Sequence, residues 1–523
     1  MSVSEGINNK RIAINTVLLY IRTVIVLIIS LYTSRLILKA LGVEDLGIYN
    51  VVGGIVALMA FFRSALTKST SRFITYEIGE NGKQELLSRI FSSAMTIHIL
   101  IAVVALVLGE TFGLLILEHW TDIPELRQDA AFVVYQCALG IFCLQLLIAP
   151  YESIIIAHED MSVFAYMSIL NALLKLGIVY MLLLTSMDRL VLYGLLMLSV
   201  DIIILSFYYI YDKKKYPEFK FKFIWDMEYS RKMFSFSGWT LLGSSTNAAT
   251  QQGISLLFNN FVGLIANAAL GFANQINGAV SNFVSSFQTA FNPQIIKLYA
   301  RQELEQMHLL MCRASKFSFV MAFVLALPLI SNMNFVLHVW LGEVPQYTVE
   351  FCQLILVCCV IDSVSGVFNT AITATGNIRG FQIGISCSFL LDLVTATLLL
   401  LMDLHPALVF GSRIITRGFI NMIIMLFFAN KQLKFSIRHY AITVLVPILI
   451  SLIITIPIIW GVAFLLDGWP SLFVSCIVSV VLMFVTTFFV VMDKRERIRV
   501  NTVLVKMVKK TKIFHKDRLT RLL

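Results

Sequence analysis

Five cationic side chains stand within or at the edge of long apolar runs: Arg22, Arg63, Lys175, Arg413 and Arg417. An isolated charge at bilayer depth costs roughly 2.5–3.5 kcal/mol even on insertion scales, so each needs a partner or a task. Arg22 lies in the middle of Leu18-Leu19-Tyr20-Ile21-Arg22-Thr23, with no acid within one or two turns on its own helix. It is read either as half of a structural pair with a neighbouring helix or as a cationic contact for an anionic substrate in a central cavity. The lack of a local acid favours the second. Arg413 and Arg417 are spaced i,i+4, so both guanidinium groups leave one helix face. Two planar forks one turn apart suit a phosphate or diphosphate better than a single carboxylate. The alternative is that they answer Asp362 or Asp392 on the two preceding apolar segments.

Lys175 and Asp201 fall at similar depth in consecutive segments and read first as a neutralising pair, with proton or sodium coupling as the other reading. Asp362 and Asp392 carry the same two readings. A polar seam follows: Ser244, Thr246, Asn247, Thr250 and Gln251, then Asn274, Gln275 and Asn277. Unpaired amides facing lipid tails cost several kcal/mol each. Some serve as interhelical glue, and their density argues that one face lines a wet cavity. Amides and hydroxyls also satisfy sugar hydroxyls, which makes Asn247, Gln251, Asn274 and Asn277 the candidate sugar contacts.

The elements that must position these groups follow from composition. Of 523 residues, 58% are hydrophobic and only 14% charged, with a mean hydropathy of +0.83. Soluble globular domains have about 45–50% and about 25%, so the chain is an all-α polytopic membrane protein, and soluble enzymes, disordered scaffolds and secreted disulfide domains are excluded. Fourteen apolar spans are predicted at 12–34, 46–66, 90–117, 130–150, 161–185, 190–211, 233–258, 268–291, 315–340, 348–374, 380–402, 406–429, 441–465 and 470–492. With a cytoplasmic N-terminus, the even-numbered connections and both termini hold 32 of the 41 Lys and Arg, against four on the opposite side. That is a strong positive-inside pattern. The inside loop from Tyr151 to Asp160 departs from it, with three acids and no Lys or Arg.

A parallel internal repeat organises the spans. Gly42 through Leu46-Gly47-Ile48-Tyr49 to Lys83-Gln84-Glu85-Leu86 lies over Gly263 through Leu270-Gly271-Phe272 to Arg301-Gln302-Glu303-Leu304, at an offset of about 220. Two six-helix lobes result, 1–211 and 233–429, joined by a basic cytoplasmic linker at 212–232. Two further helices occupy 430–492 and a basic tail 493–523. Parallel repeats about an axis along the membrane normal are a transporter plan. The tail interleaves apolar and basic residues and reads either as lying on anionic lipid or as simply solvated. No Walker A word, HExxH, GxSxG or metal-ligand spacing is present, which predicts neither catalysis nor a cofactor nor a metal. The basic excess is placed by membrane topology, so no nucleic-acid partner is inferred.

The stretch Asn15…Arg22…Thr33-Ser34-Arg35…Leu41-Gly42…Asp45-Leu46-Gly47-Ile48-Tyr49-Asn50 resembles the opening of bacterial polysaccharide exporters. These are the O-antigen-type oligosaccharide flippases of the multidrug/oligosaccharidyl-lipid/polysaccharide (MOP) superfamily. The resemblance implies a MATE-like fold in a bacterial inner membrane, with both termini cytoplasmic. It implies transfer of undecaprenyl-diphosphate-linked oligosaccharide between leaflets by alternating access, driven by Na+, H+ or membrane potential, alongside other polysaccharide-assembly membrane proteins. Cationic cavity residues belong to that pattern, and Arg22 fits it; Arg413 and Arg417 rest on spacing alone. Lipid II flippases and multidrug exporters share the architecture. A glycan polymerase or ligase needs a large outward loop, and the longest here is about a dozen residues around His119–Asp129.

Overall fold

The structure is a computed structural model that describes residues 3–492 apart from 58, 59, 81, 120–122, 185, 186, 224 and 225, together with Arg497. The remainder of the basic tail, at 493–523, lies outside the described residues. The described residues are helical and contain no strand. The main helices are α1 (Val3–Ala57), α2 (Ala60–Glu80), α3 (Gln84–Leu108), α4 (Gln128–Ala157), α5 (Met161–Leu183), α6 (Arg189–Lys215) and α7 (Met227–Phe261). Then come α8 (Leu264–Ala300), α9 (Leu304–Ser331), α10 (Thr348–Ala374), α11 (Arg379–Leu401), α12 (Ala407–Leu433), α13 (Ile437–Leu465) and α14 (Gly468–Thr486).

Among the described residues, 11 helical stretches are long and apolar enough to cross a membrane, so this is a multi-pass membrane protein. The predicted spans 46–66, 233–258 and 268–291 fall on the second part of α1 with α2, on α7 and on α8, and are not among these stretches. The polar seam is the physical reason in α7 and α8: lipid does not supply the hydrogen bonds those side chains need.

The repeat has a backbone counterpart. Gly42 breaks α1 at φ 81°, ψ 175°, and Gly263 separates α7 from α8 at φ 109°, ψ 176°. Only glycine adopts this conformation without strain, so the aligned glycines set the same corner twice. The connections after the two hairpins each contain one further positive φ, at Gly82 (61°) and Gln302 (60°).

The chain forms two compact units. The first comprises Met1–Gly263, Asn282–Met311 and Ser365–Phe435. Its core includes Phe91, Leu146 and Ile154, all at most 1% exposed. Close backbone approach is built in where Gly79 faces α8: an added Cβ there would stand 2.7 Å from the Lys297 Cα. The second comprises Leu264–Ser281, Cys312–Val364 and Ser436–Leu523. It is held by small polar groups at helical spacing, the packing mode open to helices that share an apolar solvent. Ser471 donates to Asn332 Oδ1 at 2.6 Å, the Asn332 amide donates to Ser475 at 3.2 Å, and Ser479 donates to the Val324 carbonyl at 3.4 Å.

Candidate functional site

Three of the five intramembrane cations gather in the N-terminal half of the first unit. Arg63 Nη2 stands 3.6 Å from Glu152 on α4, and its Nη1 donates to Gln145 Oε1 at 3.4 Å. Gln145 in turn hydrogen-bonds Asp201, which also feels the charge of Lys175. Arg22 sits 4.9 Å from the Phe164 ring centroid, and Glu152 is the acid whose field reaches it. Its Nε is buried with no hydrogen-bond partner among the described residues. The network holds three cations, Arg22, Arg63 and Lys175, against two acids, Glu152 and Asp201. Thr23, next to Arg22, shares a hydrogen bond of 2.9 Å with Ser286 on α8.

The second cluster is more compact. Asp392 on α11 is fully buried, with its Oδ2 3.8 Å from Arg413 Nε and 3.7 Å from Arg417 Nε. Thr416 donates to its Oδ1 at 3.0 Å. The outer guanidinium nitrogens turn to the polar seam of α7. Arg417 Nη2 donates to Asn247 Oδ1. With the Gln251 amide set by hydrogen bonding, its oxygen accepts from Arg413 Nη2 at 2.8 Å and Arg417 Nη1 at 3.2 Å. Arg417 also lies 4.3 Å from the Phe389 ring centroid, a cation–π distance. Arg413 Nη1 is buried with no partner among the described residues.

This joins Arg413, Arg417, Asp392, Asn247 and Gln251, five residues picked out by type and spacing alone. Of the two acids proposed for the arginines, Asp392 pairs with them; Asp362 is an exposed residue of the second unit. Asn274 and Asn277 also belong to the second unit, where Ser281 donates to Asn277 Oδ1 at 3.4 Å. Two cations around one carboxylate leave one positive charge over. The contacts to Nε are long, and neutral amides hold the outer nitrogens of both forks in place.

One feature beyond sequence reach is the helix type. Arg417 lies in a π-helical stretch, Ile414–Ile420, within α12. Such stretches are rare and recur at functional positions; the wider turn still delivers both arginines to Asp392. The other is the use of the acidic loop. Glu152 serves Arg63. Glu159 is 3% exposed and takes Lys297 Nζ and Gln294 Nε2, each at 2.6 Å. The carboxylate of Asp160 takes Lys215 Nζ at 2.5 Å and the Tyr216 hydroxyl. All three acids of the loop that departed from the charge pattern have basic partners. His98, by contrast, is a packed core residue bridging Thr70 (3.1 Å) and the Leu146 carbonyl (2.7 Å).

Residues 12–299 match the family described as "Polysaccharide biosynthesis protein". No curated protein matches the chain. Among solved structures, MATE in the bent conformation superposes with a TM-score of 0.71 at 13% identity, covering 83% of this chain and 97% of that one. MATE in the straight conformation gives 0.70 at 13% identity, covering 82% and 97%. A MOP superfamily transporter from Pyrococcus furiosus, described by a binding pocket of reverse polarity, gives 0.63 at 12% identity, covering 81% and 96%. The fold is therefore MATE-like.

Proposed function

Because the chain belongs to the polysaccharide biosynthesis protein family, we infer that it is a membrane flippase for a lipid-linked oligosaccharide, carried by its diphosphate from the cytoplasmic to the opposite leaflet. The observation that carries this reading is the buried pair Arg413 and Arg417, which share the single carboxylate of Asp392 and are steadied by Asn247 and Gln251. A diphosphate offers oxygens for both forks, whereas the Asp392 carboxylate stands 3.7 and 3.8 Å from their Nε atoms. Arg22 supplies a further cation, and the seam amides stand in for water around the sugars. The cargo is a repeat unit of O-antigen, capsule or exopolysaccharide on undecaprenyl diphosphate, moved across a bacterial inner membrane.

The lobes 1–211 and 233–429 are the parts that alternate access. Charge movement couples them to the membrane potential at about 2.3 kcal/mol per unit charge per 100 mV. Lys175 and Asp201 are candidates for Na+ or H+ coupling, and Asp362 for the same role. A cation-exporting multidrug transporter calls for acids in the pocket. The Pyrococcus furiosus transporter, whose reverse pocket polarity is taken to suggest a different function, makes the sign of the pocket the feature to weigh, and here each cluster retains a positive charge.

The test is reconstitution into liposomes with a fluorescent undecaprenyl-diphosphate oligosaccharide, followed by quenching from outside. Wild-type protein is expected to expose the probe and Arg417→Ala to lose at least tenfold in rate. A wild-type protein that moves a cationic dye but not the glycolipid would overturn the reading.

A further inference from the structure

A cavity of about 880 Å3 opens away from both arginine clusters, among the ends of α2, α3 and α7 and the short connection between α10 and α11. All of its walls belong to the first unit. They lie on the face that carries the even-numbered connections, which the charge pattern assigns to the cytoplasm. Four cations line it: Arg72, Arg231, Lys232 and Arg379, against Glu77 and Glu80. The volume lies within the range of small-molecule sites.

Two buried polar atoms on this wall lack partners among the described residues: Arg72 Nε, a donor, and Glu77 Oε1, an acceptor. Arg72 is held firmly, with Nη2 donating to the Ala374 carbonyl at 2.7 Å and its guanidinium 4.7 Å from the Phe73 and 4.8 Å from the Tyr76 ring centroids. Burial pushes that guanidinium down to about 10. Glu77 is 4% exposed, and burial, with the Glu80 charge behind it, pushes its carboxyl above the usual range. A buried donor or acceptor left without a partner is destabilising until a ligand supplies one. A ligand that satisfies both must present an anion to the arginine and a hydroxyl to the carboxylate. The Arg379 guanidinium lies over the Trp239 ring, 5.3 Å from its centroid, so an indole joins the cations in the wall.

The same helix carries an apolar counterpart. On α7, Phe234, Ser237, Gly238 and Leu241 line a second groove of about 270 Å3, together with Leu66 of α2 and Leu100 of α3. Along α2 and α3 these residues lie one to three turns further from the basic face than Arg72 and Ile90 of the polar cavity. The groove shares no lining residue with the cavity but lies next to it along α2, α3 and α7.

We propose that the Arg72–Glu77–Arg379 cavity and the adjoining α2–α3–α7 groove form a loading site for a prenyl-linked sugar diphosphate, separate from the intramembrane arginines. The diphosphate takes Arg72 together with Arg231 and Arg379, the first sugar takes Glu77 and Trp239, and the first isoprene units take the groove. This rests on the cargo inferred above. The site captures the glycolipid head at the membrane surface before it enters the transport path.

The test uses full-length protein in nanodiscs and two probes, a farnesyl-diphosphate-linked hexose and the soluble uridine-diphosphate hexose. Wild-type protein is expected to bind the farnesyl probe at least tenfold more tightly than the soluble one. The double variant Arg231→Ala/Arg379→Ala alters two exposed residues and is expected to raise the farnesyl-probe Kd about tenfold, at unchanged melting temperature. Gly238→Leu, which fills the groove, is expected to weaken the farnesyl probe while leaving the soluble probe unaffected. An unchanged Kd in the double variant overturns the site. Equal affinity for both probes, with no effect of Gly238→Leu, overturns the lipid source. Liposome flipping by wild-type protein separates the two levels: flipping with an unchanged Kd in the variants sinks only the loading site, whereas neither binding nor flipping by wild type sinks the cargo itself.

Discussion

The two buried charge clusters solve one problem in different ways. In the N-terminal half, Arg22, Arg63 and Lys175 are spread over α1, α2 and α5 and share Glu152 and Asp201 through a glutamine, an aromatic ring and a 3.6 Å ion contact. In the C-terminal half, Arg413 and Arg417 rise from one helix and converge on one carboxylate with two amides. Both keep one cation in excess of their acids. The dispersed network ties five helices loosely, so it can rearrange when those helices move. The compact one is preorganised, and a preorganised cation pair makes the better fixed anion site. Under the function proposed above, binding falls to Arg413 and Arg417 and adjustment to Arg22 and its neighbours.

Four substitutions test that contrast. The largest expected effect is Asp392→Asn, which leaves two buried guanidinium groups without a countercharge. Breaking a buried pair costs about 3–5 kcal/mol, so folded yield and melting temperature in detergent should fall steeply; wild-type melting would show that the cluster is solvated and not preorganised. Next is Glu159→Gln, which removes the charge under Lys297 and Gln294 at the α8 terminus. Hydrogen bonds to charged groups contribute about 1.5–3 kcal/mol, and the loss should appear as faster amide exchange at 294–301.

Glu152→Gln is smaller, at about 1 kcal/mol, because its contact with Arg63 is long and Arg63 is partly exposed. If the network adjusts as described, this variant should melt almost like wild type and yet transport more slowly. A melting loss equal to that of Asp392→Asn would erase the distinction between the clusters. Smallest of all is Arg127→Ala. Its bonds to Asp45 (2.6 Å) and Asp188 (2.5 Å) are partly exposed, so the loss should stay below about 1 kcal/mol and vanish in high salt.

Much of this was legible in the residues. A charge in an apolar run, an i,i+4 arginine pair and a run of amides are each costly in lipid, and cost is what makes them readable; Arg413, Arg417, Asn247 and Gln251 gather around Asp392. The glycine corners at Gly42 and Gly263 were readable as a repeat because only glycine fits that backbone. Asn274 and Asn277, of the same residue type, were not separable from Asn247 and Gln251 by sequence, since side-chain type does not say which unit a helix segment joins. The partners of Glu152 and Glu159 lie up to 138 residues away along the chain, and no periodicity links such positions. What was visible was their anomaly, an acidic loop on a basic face. The π-helical stretch around Arg417 left no signature in residue type or spacing.

The most direct measurement is the transbilayer rate of a fluorescent undecaprenyl-diphosphate oligosaccharide in liposomes containing Arg413→Gln/Arg417→Gln protein, with folding checked by melting temperature. The account calls for a folded double variant whose rate falls at least tenfold below wild type. A folded double variant that flips the glycolipid at the wild-type rate would contradict it.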